Sequence, residues 1–118
     1  SGVNSNSIEI ENYTNYFTPG EYSRDERTYN IKAPEMKMVG LYVIAEKVPF
    51  PHLAVFDRDT GAMPCPHSED VYGCRECMTI INDIDWICRR EFKLYDMHGE
   101  NFMWDAATRT AWIIDFGA

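Results

Sequence analysis

The longest helical pattern lies in the second half of the chain. Between Glu69 and Lys93, the residues Met78, Ile81, Ile84 and Cys88 recur at spacings of three and four, and Ile80, Ile87 and Phe92 widen the stripe. That periodicity predicts an amphipathic helix with one buried face. Its start is open between a cap at Ser68 and a start near Thr79. Arg89, Arg90 and Lys93 fall in its last turn, where cations complement the helix dipole. Two short strands are predicted next, Asn101 to Asp105 (NFMWD) and Thr110 to Asp115 (TAWIID), joined by Ala106 to Arg109. Upstream, Met36 to Val48 (MKMVGLYVIAEKV) is a nearly continuous apolar run, which predicts a strand covered on both faces. His52 to Pro64 reads as a hairpin turning at Asp59-Thr60-Gly61, bracketed by prolines at 49, 51, 64 and 66. Within residues 3–30, Ile8 to Glu11 (IEIE) reads as a short edge strand and Thr18 to Arg27 as turn and loop marked by Pro19-Gly20, with no helix predicted. The fold class expected is α+β, with a strand-rich N-terminal part, one main helix and a C-terminal β-hairpin.

With 118 residues, of which 45% are apolar and 14% aromatic, the chain suffices for one compact domain with a modest core. Ser1-Gly2 reads as an appended remnant and is set aside. The net charge of −8 disfavours nucleic acid and anionic membranes as partners, since both select clustered Lys and Arg; solubility alone accounts for the acidity equally well. There is no run of 18 apolar residues and no basic leader with an apolar core, so neither a membrane span nor a secretory signal is expected. Four cysteines at 65, 74, 77 and 88 are sparse for a disulfide scaffold. The expected compartment is reducing, cytoplasmic or host-intracellular.

The chemistry concentrates near the C-terminus. A hairpin made of the last two strands folds Asn101 and Asp115 toward one end, and Asp96 lies five residues before Asn101 on a loop facing the same mouth. An Asp and an Asn there supply hard oxygen ligands of the kind Mg²⁺ accepts, and Asp96 is placed to take a hydroxyl proton or orient a nucleophile.

These residues carry a resemblance. Leu94 to Asp105 (LYDMHGENFMWD) resembles the catalytic loop of protein kinases, whose pattern is H-R-D-x-x-x-x-N, and Ile113 to Gly117 (IIDFG) matches the D-F-G motif. The resemblance puts Asp96 on the catalytic Asp, and Asn101 and Asp115 on the two magnesium-binding positions. It makes Met78 to Lys93 the long helix before the catalytic loop, and Leu41 to Val48 the strand entering the hinge, with Glu46 and Val48 near the nucleotide base. The phrase Asp96 to Asn101 (DMHGEN) is more similar to atypical, phage-encoded or effector-type kinases. Leu94 and Tyr95 replace the family's His and Arg; no glycine-rich phosphate loop precedes the hinge; and Lys32, the nearest candidate for the phosphate-pairing Lys, stands too close to the hinge and is followed by Pro34. The likeness covers roughly residues 38–118, giving an N-terminal strand and loop segment (1–35) and a partial, truncated protein-kinase-like core (36–118).

A second constellation is Cys65 to Cys77 (CPHSEDVYGCREC). Cys65, His67, Cys74 and Cys77 form a three-sulfur, one-imidazole set suited to Zn²⁺, stapling a thin domain; alternatively Cys74 and Cys77 are small buried residues at a helix start. Cys88, on the helical stripe, is expected in the core.

The expected function is therefore that of a kinase-like remnant, or pseudokinase, that acts by binding a protein, either a kinase or a kinase substrate, or by mimicry of a kinase surface. The alternatives are a minimal or split phosphotransferase using ATP and Mg²⁺ at Asp96, Asn101 and Asp115, and a zinc-stapled interaction module.

Overall fold

A computed structural model describes residues 2–53 and 74–116, with side chains from residue 8 onward. Two helices and six strands are ordered along the chain as α1 (Gly2–Tyr16), β1 (Gly20–Arg24), β2 (Arg27–Lys32), β3 (Met36–Val39), β4 (Tyr42–Ala45), α2 (Arg75–Phe92), β5 (Phe102–Asp105) and β6 (Thr110–Ile113). The class is α+β. The main sheet has the order β1-β2-β6-β5; β2 runs parallel to β6, and the other neighbours are antiparallel. Strands from residues 20–32 and 102–113 thus share one sheet, so the N-terminal segment is built into the C-terminal half. The expected hairpin at the C-terminal end is present, with Phe102 opposite Ile113 and Trp104 opposite Ala111.

α2 realises the predicted stripe: Ile80, Ile81, Ile84, Ile87, Cys88 and Phe92 are buried against the core with Leu94, Phe102, Ile113 and Phe116. It begins at Arg75, between the two starts considered. It ends at Lys93, which adopts a left-handed backbone (φ 56°), while the Leu94 N–H reaches back to the Cys88 carbonyl at 3.2 Å. That bond satisfies a carbonyl left open by the final turn.

Three expectations are corrected. Ile8 to Glu11 is not an edge strand but part of α1, because Ile10, Tyr13 and Phe17 recur at helical spacing and pack on the core. Thr18 to Arg27 is not all loop: from Gly20 onward it forms β1 and the turn into β2, with Asp25 in the left-handed region (φ 55°) at the two-residue connection. Met36 to Val48 is not one strand covered on both faces. Gly40 (φ 62°) breaks it into the β3–β4 hairpin, a separate two-stranded sheet that leans on α1 and exposes much of its apolar surface. The expected hairpin from His52 to Pro64 lies outside the described residues after Leu53. Among the described residues, no helix is long and apolar enough to cross a membrane.

One charged side chain sits inside the helical stripe. Asp83 is 1% exposed and receives Arg27 through Nε at 2.6 Å and Nη2 at 2.9 Å, together with the Tyr29 hydroxyl. Arg24 stands 3.7 Å away. This fork binds α2 to the β1–β2 ribbon and gives the buried carboxylate the partners it needs.

Candidate functional site

The loop from Leu94 to Asn101 is held by alternation and by its ends. Leu94, Met97 and Gly99 face inward, while Tyr95, Asp96 and Glu100 are exposed. Helix α2 grips the loop from below: the Asp85 carboxylate accepts the Met97 N–H at 3.2 Å, and Arg89 donates to the Tyr95 carbonyl at 2.9 Å. Gly99 is required by space, since a Cβ there would lie 1.9 Å from the Leu53 carbonyl oxygen.

Asn101 closes the loop. Its side-chain amide donates to the Asp96 carbonyl at 2.7 Å, and its backbone N–H donates to the His98 carbonyl at 2.9 Å. Its own carbonyl accepts the Ile114 N–H at 3.1 Å, so the residue before Asp115 is tied directly to Asn101. The backbone therefore brings Asp96, Asn101 and Asp115 to one end of the β5–β6 ribbon. Asp96 is exposed, Asn101 buried and Asp115 half-buried.

Asp115 and Phe116 are covered by α1, whose residues the sequence reading left out of the site. The Asn12 amide donates to the Phe116 carbonyl at 2.7 Å. The Phe116 ring is fully buried, edge-on to Tyr13 and Phe17 at centroid distances of 5.3 and 5.2 Å. Glu9 lies beside Asp115: burial raises the Glu9 pKa, the Asp115 charge raises it further, and a hydrogen bond from the Phe116 backbone opposes both. The apolar spacing Ile10-Tyr13-Phe17 was the available signal for this helix.

Asn101 and Asp115 offer oxygen donors of the type Mg²⁺ takes, and an ion that keeps several waters needs few protein ligands. The Asn101 amide nitrogen is committed to Asp96, which leaves its carbonyl oxygen as the donor; the Glu9 carboxylate adds negative charge next to Asp115. The donor chemistry thus fits, although no cluster of three or more His, Cys, Asp or Glu suited to a metal occurs among the described residues. Glu46 and Val48 belong to the β3–β4 neighbourhood. The Glu46 N–H donates to the Glu35 carbonyl at 3.1 Å, the side chain borders a shallow cleft of about 240 Å³ with Lys37 and Ile44, and Val48 is buried. Of the proposed zinc set, Cys65 and His67 lie outside the described residues. Cys74 precedes α2 and Cys77 is in its first turn, both buried in the core. Cys88 is buried as expected, and burial pushes its thiol pKa well up, with Asp85 adding to the shift.

No family model matches the chain, and neither the curated proteins nor the solved structures contain a match to it.

Proposed function

We propose that the chain is a kinase-like remnant that acts by binding a protein partner through the β3–β4 hairpin. The observation that carries this reading is the exposed apolar surface of that hairpin. Tyr42 is 74% exposed and Leu41 59%, and Val39 and Ile44 are each about half exposed, all within six consecutive positions. Large apolar side chains concentrated on one ribbon are the usual mark of an interaction surface. Lys37, Glu35 and Glu46 supply a polar border. The cover of α1 over Phe116, and the Glu9 carboxylate beside Asp115, favour binding over turnover, because added negative charge opposes an incoming triphosphate.

A second reading, a minimal or split phosphotransferase with Asp96 as base and Asn101 and Asp115 on Mg²⁺, is favoured by the Asn101–Asp96 closure. In that reading the metal supplies charge neutralisation at the phosphates, while Asn101 fixes the loop and Asp96 holds the hydroxyl proton. A paired experiment separates the two. The chain is titrated with ATP, with and without Mg²⁺, by thermal shift, and partner retention is compared between wild type and a Tyr42→Lys/Ile44→Glu variant. Unchanged melting with nucleotide, and a partner lost only by the variant, are expected. Phosphate transfer by the wild type that disappears in Asp115→Ala replaces the first reading with the second.

A further inference from the structure

At the other end of α2 three arginines gather. β2, the first turn of α2 and the end of the β5–β6 turn enclose an open cleft of about 700 Å³, and Arg27, Arg75 and Arg109 all line it. Three of the 11 basic residues of a chain with net charge −8 therefore meet in one place. The Asp96 loop is bonded to α2 at Asp85 and Arg89, past the middle of the helix, whereas this cleft opens at its start, so it does not depend on the reading given above.

Two of the three guanidinium groups are held in position. Arg109 comes off a left-handed backbone (φ 52°), lies over the Tyr29 ring at 4.6 Å and the Trp104 ring at 5.9 Å, and donates through Nε to the Thr28 carbonyl at 3.2 Å. Stacking of this kind orders the planar group while its outer donors stay available. Arg27 is fixed by its fork on Asp83, which uses Nε and Nη2 and leaves Nη1 outside that pair. The third, Arg75, is exposed on the first turn of α2. Thr79 and Ile80 form the floor, with the Tyr29 ring buried beneath Arg109.

We propose that this cleft binds a phosphate monoester, its phosphoryl group held among Arg27, Arg75 and Arg109 and its organic part lying against Thr79 and Ile80. A planar carboxylate is satisfied by one guanidinium fork, whereas a tetrahedral dianion accepts donors arriving from several directions. Glu26 and Glu76 also line the cleft, and Arg27 is shared with Asp83 and Asp25; these carboxylates oppose an incoming dianion and hold the affinity down.

The test uses the full chain and three probes: phenyl phosphate, inorganic phosphate and benzoate, each titrated by NMR with amide shifts mapped along the sequence. Phenyl phosphate is expected to shift the amides of residues 27–29, 75–79 and 109, and to bind about tenfold more tightly than benzoate. Arg75→Gln, at an exposed position, is expected to weaken it about tenfold without moving Tm, and Arg109→Lys to weaken it while keeping the charge. Inorganic phosphate binding as tightly as phenyl phosphate identifies free phosphate as the ligand and overturns the ester assignment. Equal binding of benzoate, shifts elsewhere, or affinity unchanged in Arg75→Gln overturns the site. Because the map is read on the wild-type chain, the result holds even where a variant fails to fold.

Discussion

The side-chain amide of Asn12 donates a 2.7 Å hydrogen bond to the carbonyl of Phe116, joining the first helix to the last described turn across 104 positions of sequence. Around that bond, Tyr13 and Phe17 enclose the Phe116 ring. The backbone beside Asp115 is thus set by α1 as much as by β6. Removing one half-buried hydrogen bond costs about 1 kcal/mol. Asn12→Ala should therefore lower Tm by roughly 4 °C and increase amide exchange at residues 114–116. Unchanged exchange there would show that the aromatic contacts alone hold the turn.

Glu9 predicts a pH dependence of unusual sign. Its carboxyl is raised above the ordinary value of 4.5 by burial and by Asp115, so the folded state holds the proton longer than the unfolded chain does. Stability then falls as pH rises from 4.5 through the raised value, and the cost persists at neutral pH. Glu9→Gln removes the charge and should raise Tm at pH 7 while leaving it nearly unchanged below pH 4. A variant equally stabilised at both pH values would show that charge is not the cause.

Asp83 works in the opposite direction. Burial raises its pKa, but the hydrogen bonds from Arg27 and Tyr29 and the charges of Arg27 and Arg24 prevail, and the net shift is downward from 3.8. Its contribution is present above the ordinary value and is lost as pH falls through the lowered one. The same cluster pushes the Tyr29 hydroxyl up to about 12, through burial first and the Asp83 hydrogen bond second. Asp83→Asn keeps the volume and removes the charge, and should cost about 2 kcal/mol at pH 7. Its Tm should lack the acid limb expected of the wild type below pH 4. Retention of that limb would assign it to other carboxylates.

The sequence made some of this visible and hid the rest for physical reasons. α2 and the β5–β6 ribbon were legible because long periodic stripes and short apolar runs beside turn residues leave little ambiguity. The alternation of Ile8 to Glu11 fits a strand over four residues, and only the longer window reaching Phe17 separates it from a helix. The apolar run from Met36 to Val48 looked buried because composition does not report that Gly40 turns it back on itself. Asp83 carries no signal of its own in the helical stripe, and its partners Arg27 and Tyr29 lie 56 and 54 positions earlier. The backbone approach of Asp96, Asn101 and Ile114 was readable because a tight ribbon and a five-residue loop are local. The roles of Asn12 and Glu9 were not, since they depend on a contact between the two ends of the described chain.

Gly99 offers a direct test of how the Asp96 loop is held. The glycine is buried, with the Leu53 carbonyl where a Cβ would have to go and the Ile81 side chain 3.4 Å from the same point. A methyl group there forces either the loop or the Leu53 segment to move, and that segment is itself pinned, because the Trp104 N–H donates to the Pro51 carbonyl at 2.9 Å. Overpacking against backbone costs about 1–3 kcal/mol, whereas Glu100→Ala, at the exposed neighbour, should stay within about 0.5 kcal/mol of wild type. Gly99→Ala is therefore expected to lower Tm by several degrees. It should also shift the amide resonances of residues 96–101 and 52–53 together, since relief on one side of the contact displaces the other. A Gly99→Ala protein with wild-type Tm and undisturbed resonances at Leu53 would mean that the loop does not rest on that carbonyl, and that the Asn101–Asp96 closure and the bonds from Asp85 and Arg89 set its shape.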